Sequence, residues 1–580
     1  MSQPGRHPTA SDLEKAIVKC RMIIQKNPRD AASLHALSLL ECRLGRLTNG
    51  MDIINQALAL EPENPEYLAH RGCIFLDRGE HNNALADFQK AIGIDSINAQ
   101  YHFHLGNAYR ELGALREAIA AYRQATVLQP THVEALNNLG NLLKKQGFFG
   151  DAILSFQRAI TVSPEQAMLY NNLGLAYVAL GLLDDAEIQF HKAIERQPRY
   201  PEALNNLGNV VQMRGGFEES KAWYARALKL RPDFQDALGN LANTHKFCGE
   251  IQPATDLYHR LLQQQDSPEH HHNLALALLV SGQLVDGWRE YEWRWQTSQL
   301  ANARRPFSQP QWRGEAAEGQ TILIHAEQGF GDTLQFCRYI PLVAERGLRV
   351  ILEVQPPLVR LMQSLAGGAQ IMARGDALPS FDLHCPMLSL PLAFGTTLET
   401  IPATIPYLFP KVDSVRAWRD KLPEVGGKVR VGFVWAGSAR FQSPDMIATD
   451  RRRSIDPKLL APLMDVDGVQ YFTLQKGGSA APASLNLIDK MADCKDFADT
   501  AALIANLDLV ISVDTAVVHL AAAMGKPVWL LNRYDTCWRW LLGRDDSPWY
   551  PSARQFRQKK SGDWGGVIRD VIGALKNVNF

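Results

Sequence analysis

Two short stretches of the chain carry residue types that could handle an activated, anionic substrate. In "HAEQGFGDTLQF", His325 to Phe336, two glycines and Asp332 follow directly on the strand-like run Thr321 to Ile324. A carboxylate there is placed to accept a proton from a hydroxyl, or to cap the helix that starts at that point, with Gln335 completing a box-like pair. In "ISVDTAVVHLAAAMGKPVWLL", Asp514 and Thr515 stand where an apolar strand ends and a helix begins. The amides of Thr515, Ala516 and Val517 are then unpaired, and the helix dipole favours a diphosphate beside them. His519 follows Thr515 by four residues and so shares its helical face, within reach of an anionic ligand or leaving group. The same residue types also serve plainer ends, His519 as a packing residue and Asp514 as an N-cap.

Further polar groups follow other strand-like runs. "FVWAGSARFQSPDMIATDRRRSIDP" leaves a strand at Trp435 to Ser438 and continues as a long polar loop bearing Arg451, Arg452 and Arg453. A run of charge is usually a solvated face, but its position after a strand's carboxyl end makes a phosphate clamp the sharper reading. "YFTLQKGG" puts Gln475 and Lys476 at the end of another strand, placed for ribose, base or phosphate. A dinucleotide fingerprint is incomplete: Gly329 and Gly331 fit its first two glycines and Glu353 lies at the distance of a ribose partner, but the third position is Leu334.

The elements that must position these groups fall into two halves. In the first, Gly72, Gly106, Gly140, Gly174 and Gly208 recur every 34 residues, with Ser38 and Ala242 in the same register. Twelve residues after each comes a small residue, Gly50 and Ala84 through Ala254, and four further on a bulky one, Ile54 and Phe88 through Tyr258. That is the period and pattern of tetratricopeptide repeats, antiparallel helix pairs in which small residues permit close approach and aromatics fill the gap. About seven units span Ala31 to Trp295, preceded by a helix at Ser11 to Gln25. The final "GWREYEWRW" suits a helix pair docking onto the next domain.

One face of the array carries a column of carboxamides. Asn138, Asn172, Asn206, Asn240 and Asn273 occupy equivalent positions, and His70 and His104 continue the row. A carboxamide both donates and accepts, so a column of them could grip an extended polypeptide through its backbone. The asparagines could equally be repeat consensus satisfying contacts between helices. Asparagine is a poor helix former, so five in register call for a reason.

From Thr321 onward, short apolar strands alternate with amphipathic helices, which implies parallel sheets. A proline-rich stretch divides them into two series, hence two Rossmann-like lobes with a cleft at the carboxyl ends of their strands. The expected division is 1–295 for the repeats, 296–320 for a polar linker, 321–412 for an acceptor-side lobe and 413–580 for a donor-side lobe.

Composition sets limits. With 61 basic and 61 acidic side chains, no net field draws the chain to nucleic acid or an anionic membrane. No apolar run is long enough to span a bilayer and no secretory leader is evident, so membrane insertion is not expected and a cytoplasmic location is. The eight cysteines are scattered without a C-x-x-C pair, which argues against a disulfide framework or a zinc site. Neighbouring histidines in "EHHH", Glu269 to His272, point in different directions on a helix, so no metal is expected there.

Taken together, the repeats, "GWREYEWRW", "HAEQGFGDTLQFCRY", "VWAGS", "RRRS", "TLQKG" and "SVDTAVVHLAAAMGKPVWLL" resemble bacterial tetratricopeptide-repeat glycosyltransferases. The C-terminal half is similar to the heptosyltransferase superfamily and, more distantly, to the O-GlcNAc transferase class. The resemblance implies an α superhelix of repeats followed by an α/β glycosyltransferase of two facing Rossmann-like lobes. It implies inverting transfer from a nucleotide sugar, with no cofactor and no required metal. In heptosyltransferases a Gly-Asp pair follows the first strand, and its match here is Asp332, the expected base; their D-T-G-x-x-H motif matches Asp514, Thr515 and His519, with Ala516 in place of glycine. The expected donor site is Gly331, Trp435, Gly437, Ser438, Arg451, Arg453, Ser454, Gln475, Lys476, Asp514, Thr515 and Ala516, with Asp332 and His519 catalytic. His104, Asn138, Asn172, Asn206, Asn240 and Asn273 would hold the acceptor polypeptide, and Asp332 would share one crevice with the Asp514–Thr515 turn. Some repeat-bearing members modify flagellin, which makes a Ser/Thr hydroxyl of flagellin one implied acceptor. The alternatives are a scaffold whose transferase domain is degenerate, or transfer to a lipid-linked glycan.

Overall fold

A computed structural model describes residues 9–437, 444–477 and 485–577. They fall into two compact units, one ending at Ala203 and the other beginning at Leu204.

The first unit is helical throughout. The helix Ala10–Lys26 starts at a capping box, Thr9 with Asp12, and five helix pairs follow, from Ala31–Arg43 with Leu47–Leu60 to Ala167–Ala179 with Leu183–Arg196. The repeat pattern has a direct steric cause. A β-carbon added at Gly106 would stand 2.7 Å from the Tyr122 ring, and one at Gly174 would stand 2.6 Å from Phe190. The ring of each second helix thus lies on the bare backbone of the first. Between the two helices the chain reverses through a residue with positive φ, such as Gly147 at 81° and Gly181 at 73°, where a side chain would be strained.

The second unit begins with the same architecture. The helix Pro201–Met213 spans the division, and Phe217–Leu230, Gln235–Phe247, Ile251–Gln264, Pro268–Val280 and Leu284–Tyr291 follow. Gly208 lies under Tyr224, where a β-carbon would be 2.6 Å from the ring.

Two all-parallel sheets come next. The first has strands β1 (Thr321–His325), β2 (Arg349–Val354), β3 (Gln370–Ala373) and β4 (Leu383–Pro386), in the order β3-β2-β1-β4. The second has β5 (Val429–Val434), β6 (Val469–Thr473), β7 (Ile488–Asp489), β8 (Leu509–Val513), β9 (Val528–Asn532) and β10 (Ala553–Arg557). Their order is β10-β9-β8-β5-β6-β7. Helices cover both faces of such sheets, so inner strands read as unbroken apolar runs; every residue of β8 and β9 is buried. Short edge strands lack that signature, and β3, β4, β7 and β10 were not expected.

Two further expectations change. The polar stretch before β1 does not run free: Trp312 is buried, its amide donates to the His384 carbonyl (2.8 Å), and Gln311 bridges to β4. The arginine-bearing segment is a helix, Pro444–Arg453, not a loop. Proline is tolerated in a first turn, and the three arginines lie in the last turn, where they complement the dipole.

The terminal aromatics of the repeats dock as expected. Trp288 is buried edge-on to Trp538 (5.2 Å between centroids) and to Phe336 (5.9 Å), within one apolar core shared by the last repeat helices and both sheets. Arg294 is wholly buried behind it, donating to Glu327 (3.0–3.2 Å), Glu292 (2.6 Å) and Ser389 (2.8 Å). Among the described residues no helix is long and apolar enough to cross a membrane.

Candidate functional site

The two lobes meet where the helix Phe330–Phe336, following β1, packs on the helix Ala516–Ala523, following β8. Gly331 makes the contact possible: a β-carbon there would stand 2.9 Å from Cδ2 of His519 and 3.8 Å from Cα of Ala516. Arg338 fastens the same junction, with Nη1 donating to the Trp549 carbonyl (2.5 Å) and Nη2 to Tyr407 (2.8 Å).

Cavities open on either side of this contact. The larger, about 750 Å³, is lined by Glu327, Gly329 and Asp332 of the first lobe, by Arg533 and Asp535 to Arg539 of the second, and by Lys246, His272 and Tyr291 of the last repeats. The smaller, about 320 Å³, is lined by Phe330, Ala436, Gln475, Lys476, Lys495, Phe497 and Thr515 to Val517. Asp332 and the Thr515 turn therefore do not share one crevice as expected. They flank the helix contact, with Gly329 facing one cavity and Phe330 the other.

Asp332 is neither a simple cap nor a free carboxylate. Gly329 is the N-cap; Asp332 reaches back from the third helical position, and its Oδ2 accepts the Gly329 amide (3.0 Å). Oδ1 pairs with Arg539, whose guanidinium lies over the Trp538 ring (4.2 Å) and donates to Cys537 Sγ (3.0 Å). Gln335 does not complete a box: its side chain is fully buried, with neither amide atom hydrogen-bonded.

His519 departs from its expected role. Its ring lines neither cavity; it is buried, stacked on Trp540 (5.1 Å), with Nδ1 3.0 Å from the Tyr550 hydroxyl and Nε2 3.7 Å from Asp514. It supports the Asp514 turn from below instead of meeting a ligand. Burial works against the Asp514 charge, but His519, and then Trp540 and Arg539, outweigh it and hold the carboxyl well below its usual range. Thr515, not Asp514, is the N-cap of the Ala516–Ala523 helix; its side chain caps nothing and sits 3.0 Å from Ser512 Oγ.

The other expected donor residues separate into groups. Gln475 and Lys476 line the smaller cavity, Gln475 accepting from the Ala436 amide (3.0 Å) and Lys476 donating to the Cys494 carbonyl (3.0 Å). Arg453 lies on bare Gly437, pairs with Asp450 (2.6 Å), and donates to the Asp514 carbonyl (3.2 Å), so it braces the turn. Ser454 Oγ accepts the Gly437 amide at 3.3 Å. Trp435 is in the core beside Phe433 and reaches neither cavity, because its side chain falls on the sheet face under helices. Arg451 is exposed and also lines neither cavity. Arg452 turns the other way, to Asp535 (3.0 Å) and the Met213 carbonyl (3.1 Å), tying the second lobe to a repeat helix. Ser438 lies outside the described residues. Glu353 is buried and paired with Arg305, which disposes of a ribose role.

The asparagines form ladders between adjacent repeats. In the first unit Asn138 donates to Asn107 (3.4 Å) and Asn172 to Asn137 (2.9 Å), while His104 stacks on Phe88 (5.5 Å). In the second, Asn240 donates to Asn205 (3.0 Å), and within single repeats Tyr224 and Tyr258 donate to Asn209 and Asn243 (both 2.8 Å). Asn206 and Asn273 are likewise half-buried on their helices. Asn138, Asn172 and Asn240 each engage one N–H within the array, so the consensus has a structural cause.

Among the described residues, one group has metal-ligand atoms close together, Glu218, Cys248 and Glu250 within 4.8 Å. The Lys221 ammonium lies between its carboxylates, at 2.9 and 2.8 Å, so the cluster is an ion-pair network. In "EHHH", His271 pairs with Asp266 (2.8 Å) and stacks on Trp293 (4.1 Å).

Reasoning from sequence missed Arg539, Glu327, Phe330, Lys495 and Lys246. Phe330 and Glu327 lie inside the stretch singled out around Asp332 and could have been marked there; Arg539 and Lys246 have no local motif.

Known proteins resemble parts of this chain. Residues 72–113 and 106–147 match the TPR repeat family, residues 137–201 and 172–233 match the tetratricopeptide repeat family, and residues 482–560 match glycosyltransferase family 9 (heptosyltransferase). Tetratricopeptide repeats thus precede two parallel-sheet lobes, and a segment of the second lobe is similar to glycosyltransferase family 9. Over 366 residues it is 28% identical to Protein FlbA of Caulobacter vibrioides, a match spanning 57% of this chain and 59% of that protein. Among solved structures, MamA is 27% identical with a TM-score of 0.26, covering 27% of this chain and 92% of its own. A tetratricopeptide repeat protein from Parabacteroides merdae is 18% identical with a TM-score of 0.36, covering 43% and 98%.

Proposed function

We propose that the chain moves a sugar from a nucleotide-activated donor to a side-chain hydroxyl of a protein held by its repeats, inverting the anomeric centre without a metal. The observation that carries this reading is the uncapped start of the Ala516–Ala523 helix. It opens on the smaller cavity beside Lys476 and Lys495, inside the segment that matches glycosyltransferase family 9. Unpaired amides and two ammonium groups favour a diphosphate and stabilise charge that builds on it as the glycosidic bond breaks.

Phe330 and Phe497, 5.0 Å apart at centroids, offer the same cavity an apolar wall for base or sugar. The sugar would extend past Phe330 toward Asp332, which would hold the acceptor hydroxyl and receive its proton. The larger cavity, lined by both lobes and the last repeats, would admit the acceptor, and Asn206, Asn240 and Asn273 would hold the chain leading to it. Flagellin is the first acceptor to test, and the reaction is placed in the cytoplasm.

Titration calorimetry with a panel of nucleotide sugars tests the donor half. One donor should bind with a Kd of roughly micromolar order, and Lys476→Met should weaken it about tenfold, close to 1.4 kcal/mol. No heat with any donor would leave a non-catalytic scaffold. Inversion is read from the anomeric configuration of the product by NMR, and metal independence from activity retained in EDTA.

A further inference from the structure

The larger cavity contains a cation that no acid among the described residues pairs with directly. Lys246 comes from the repeat helix Gln235–Phe247; its ammonium donates to Asn243 Oδ1 (2.9 Å) and lies 5.1 Å from the Phe247 ring centroid. Among the described residues no carboxylate stands within ion-pair distance of it. Arg533, just beyond β9, lines the same cavity, and its Nη1 is buried without a hydrogen bond although Asp535 is 3.3 Å away.

The acids of the cavity wall are already engaged. Asp535 is held by Arg452 at 3.0 Å, Asp332 by Arg539 and Glu327 by Arg294. Burial, opposed by Asp535 and reinforced by Arg533, pushes the Lys246 ammonium down to about 8. A half-buried ammonium with one amide oxygen for company, in a cavity it shares with a guanidinium whose Nη1 has only a 3.3 Å ion contact to a carboxylate already held by Arg452, is an incomplete arrangement until an anion joins it.

We propose that Lys246 and Arg533 form an oxyanion subsite in the larger cavity, the repeat array supplying one of its two cations, and that a phosphate or carboxylate group of a substrate occupies it. The word substrate rests on the transferase reading; binding of the oxyanion does not. In this arrangement the repeats complete the site as well as recruit to it. The occupant is a phosphate of the sugar nucleotide or an acidic side chain of the acceptor, and the chemistry of recognition is the same for both.

The test uses the full chain, reductively methylated with 13C-formaldehyde, with the Lys246 resonance assigned by its loss in Lys246→Arg. Inorganic phosphate should move the Lys246 titration to higher pH, and Arg533→Met should weaken that response at least tenfold. In transfer assays, Lys246→Met should raise one Michaelis constant about tenfold with kcat little changed, and Lys246→Arg should restore it. A change confined to the donor constant assigns the occupant to the sugar nucleotide; one confined to the acceptor constant assigns it to the acceptor.

A Lys246 titration indifferent to phosphate overturns the subsite. So do Lys246→Met and Arg533→Met variants that melt, bind phosphate and turn over as the wild type does. A phosphate response with neither Michaelis constant moving overturns the assignment to a substrate. If the wild-type chain transfers no sugar while phosphate still moves Lys246, the transferase reading fails and the subsite stands.

Discussion

Gly331 lies directly on the imidazole of His519, so closely that a β-carbon on it would stand 2.9 Å from Cδ2. The first-lobe helix bearing Asp332 and the second-lobe helix starting at Ala516 are thereby held at backbone distance. The glycine after Phe330 answers to this approach, not to a ligand wrapped in a glycine loop.

The substitution Gly331→Ala should therefore push the helices apart. Overpacking of this kind costs about 1–3 kcal/mol, seen as a melting temperature lower by a few degrees. Turnover should fall about tenfold or more, because Asp332 shifts relative to the Ala516 amides. Thermal melts and transfer rates equal to wild type would show that the contact tolerates a methyl group and sets no catalytic geometry.

Asp332 and Arg539 form a largely buried pair, with side-chain exposures of 12% and 15%. Removing one partner of a buried pair costs roughly 3–5 kcal/mol, and the residual exposure places this pair at the lower end. Asp332→Ala should lose that stability and transfer activity by a factor on the order of 100 or more. Asp332→Asn retains an acceptor for the Gly329 amide and should melt closer to wild type while remaining inactive. Near-normal transfer by a folded Asp332→Ala protein removes Asp332 from the chemistry.

The asparagine ladders allow structure and recognition to be separated. Asn137 is buried and receives its bond from Asn172 at 2.9 Å. A double-mutant cycle on this pair should give a coupling of about 0.5–1.5 kcal/mol in stability. Replacing Asn172, Asn206 and Asn240 together by Ala should weaken acceptor binding with donor affinity unchanged, whereas an equal loss of both means that the repeats have unfolded.

Several histidines make the fold sensitive to acid. Burial pushes His104 down to about 4, with His132 adding to it; burial pushes His272 to about 4 as well, with Lys246 and Arg294 adding. Each stays neutral when folded but takes up a proton near 6.5 when unfolded, so its contribution is present above pH 6.5 and is lost as pH falls toward 4. Melting temperatures measured across that interval should drop by several degrees, and His104→Gln should flatten the slope. A pH-independent melting temperature in His-intact protein contradicts the assignment.

The repeats were legible because one steric rule, a ring on a bare backbone, recurs every 34 residues from Gly72 to Gly208. The inner strands were legible because burial on both faces makes them apolar throughout, as in "LVISV". The site was legible only in part. Asp332, Thr515, Ala516, Gln475 and Lys476 reach a cavity wall, and all stand at strand ends or helix starts. Trp435 and His519 also lie near such ends, but their side chains fall on the packed face, a matter of orientation that a string of residues does not express. Arg539 and Lys246 stand 207 and 86 residues from Asp332, and only the folded chain brings them to one cavity.

The most direct measurement of the central claim is intact-mass spectrometry of proteins that co-purify with the chain, flagellin included, from a host carrying the wild-type gene and from one lacking it. A fixed mass increment on one partner is expected, present with the wild type and absent both without the gene and with Asp332→Ala. A partner of identical mass in all three hosts, held by a chain that binds no nucleotide sugar, would contradict it.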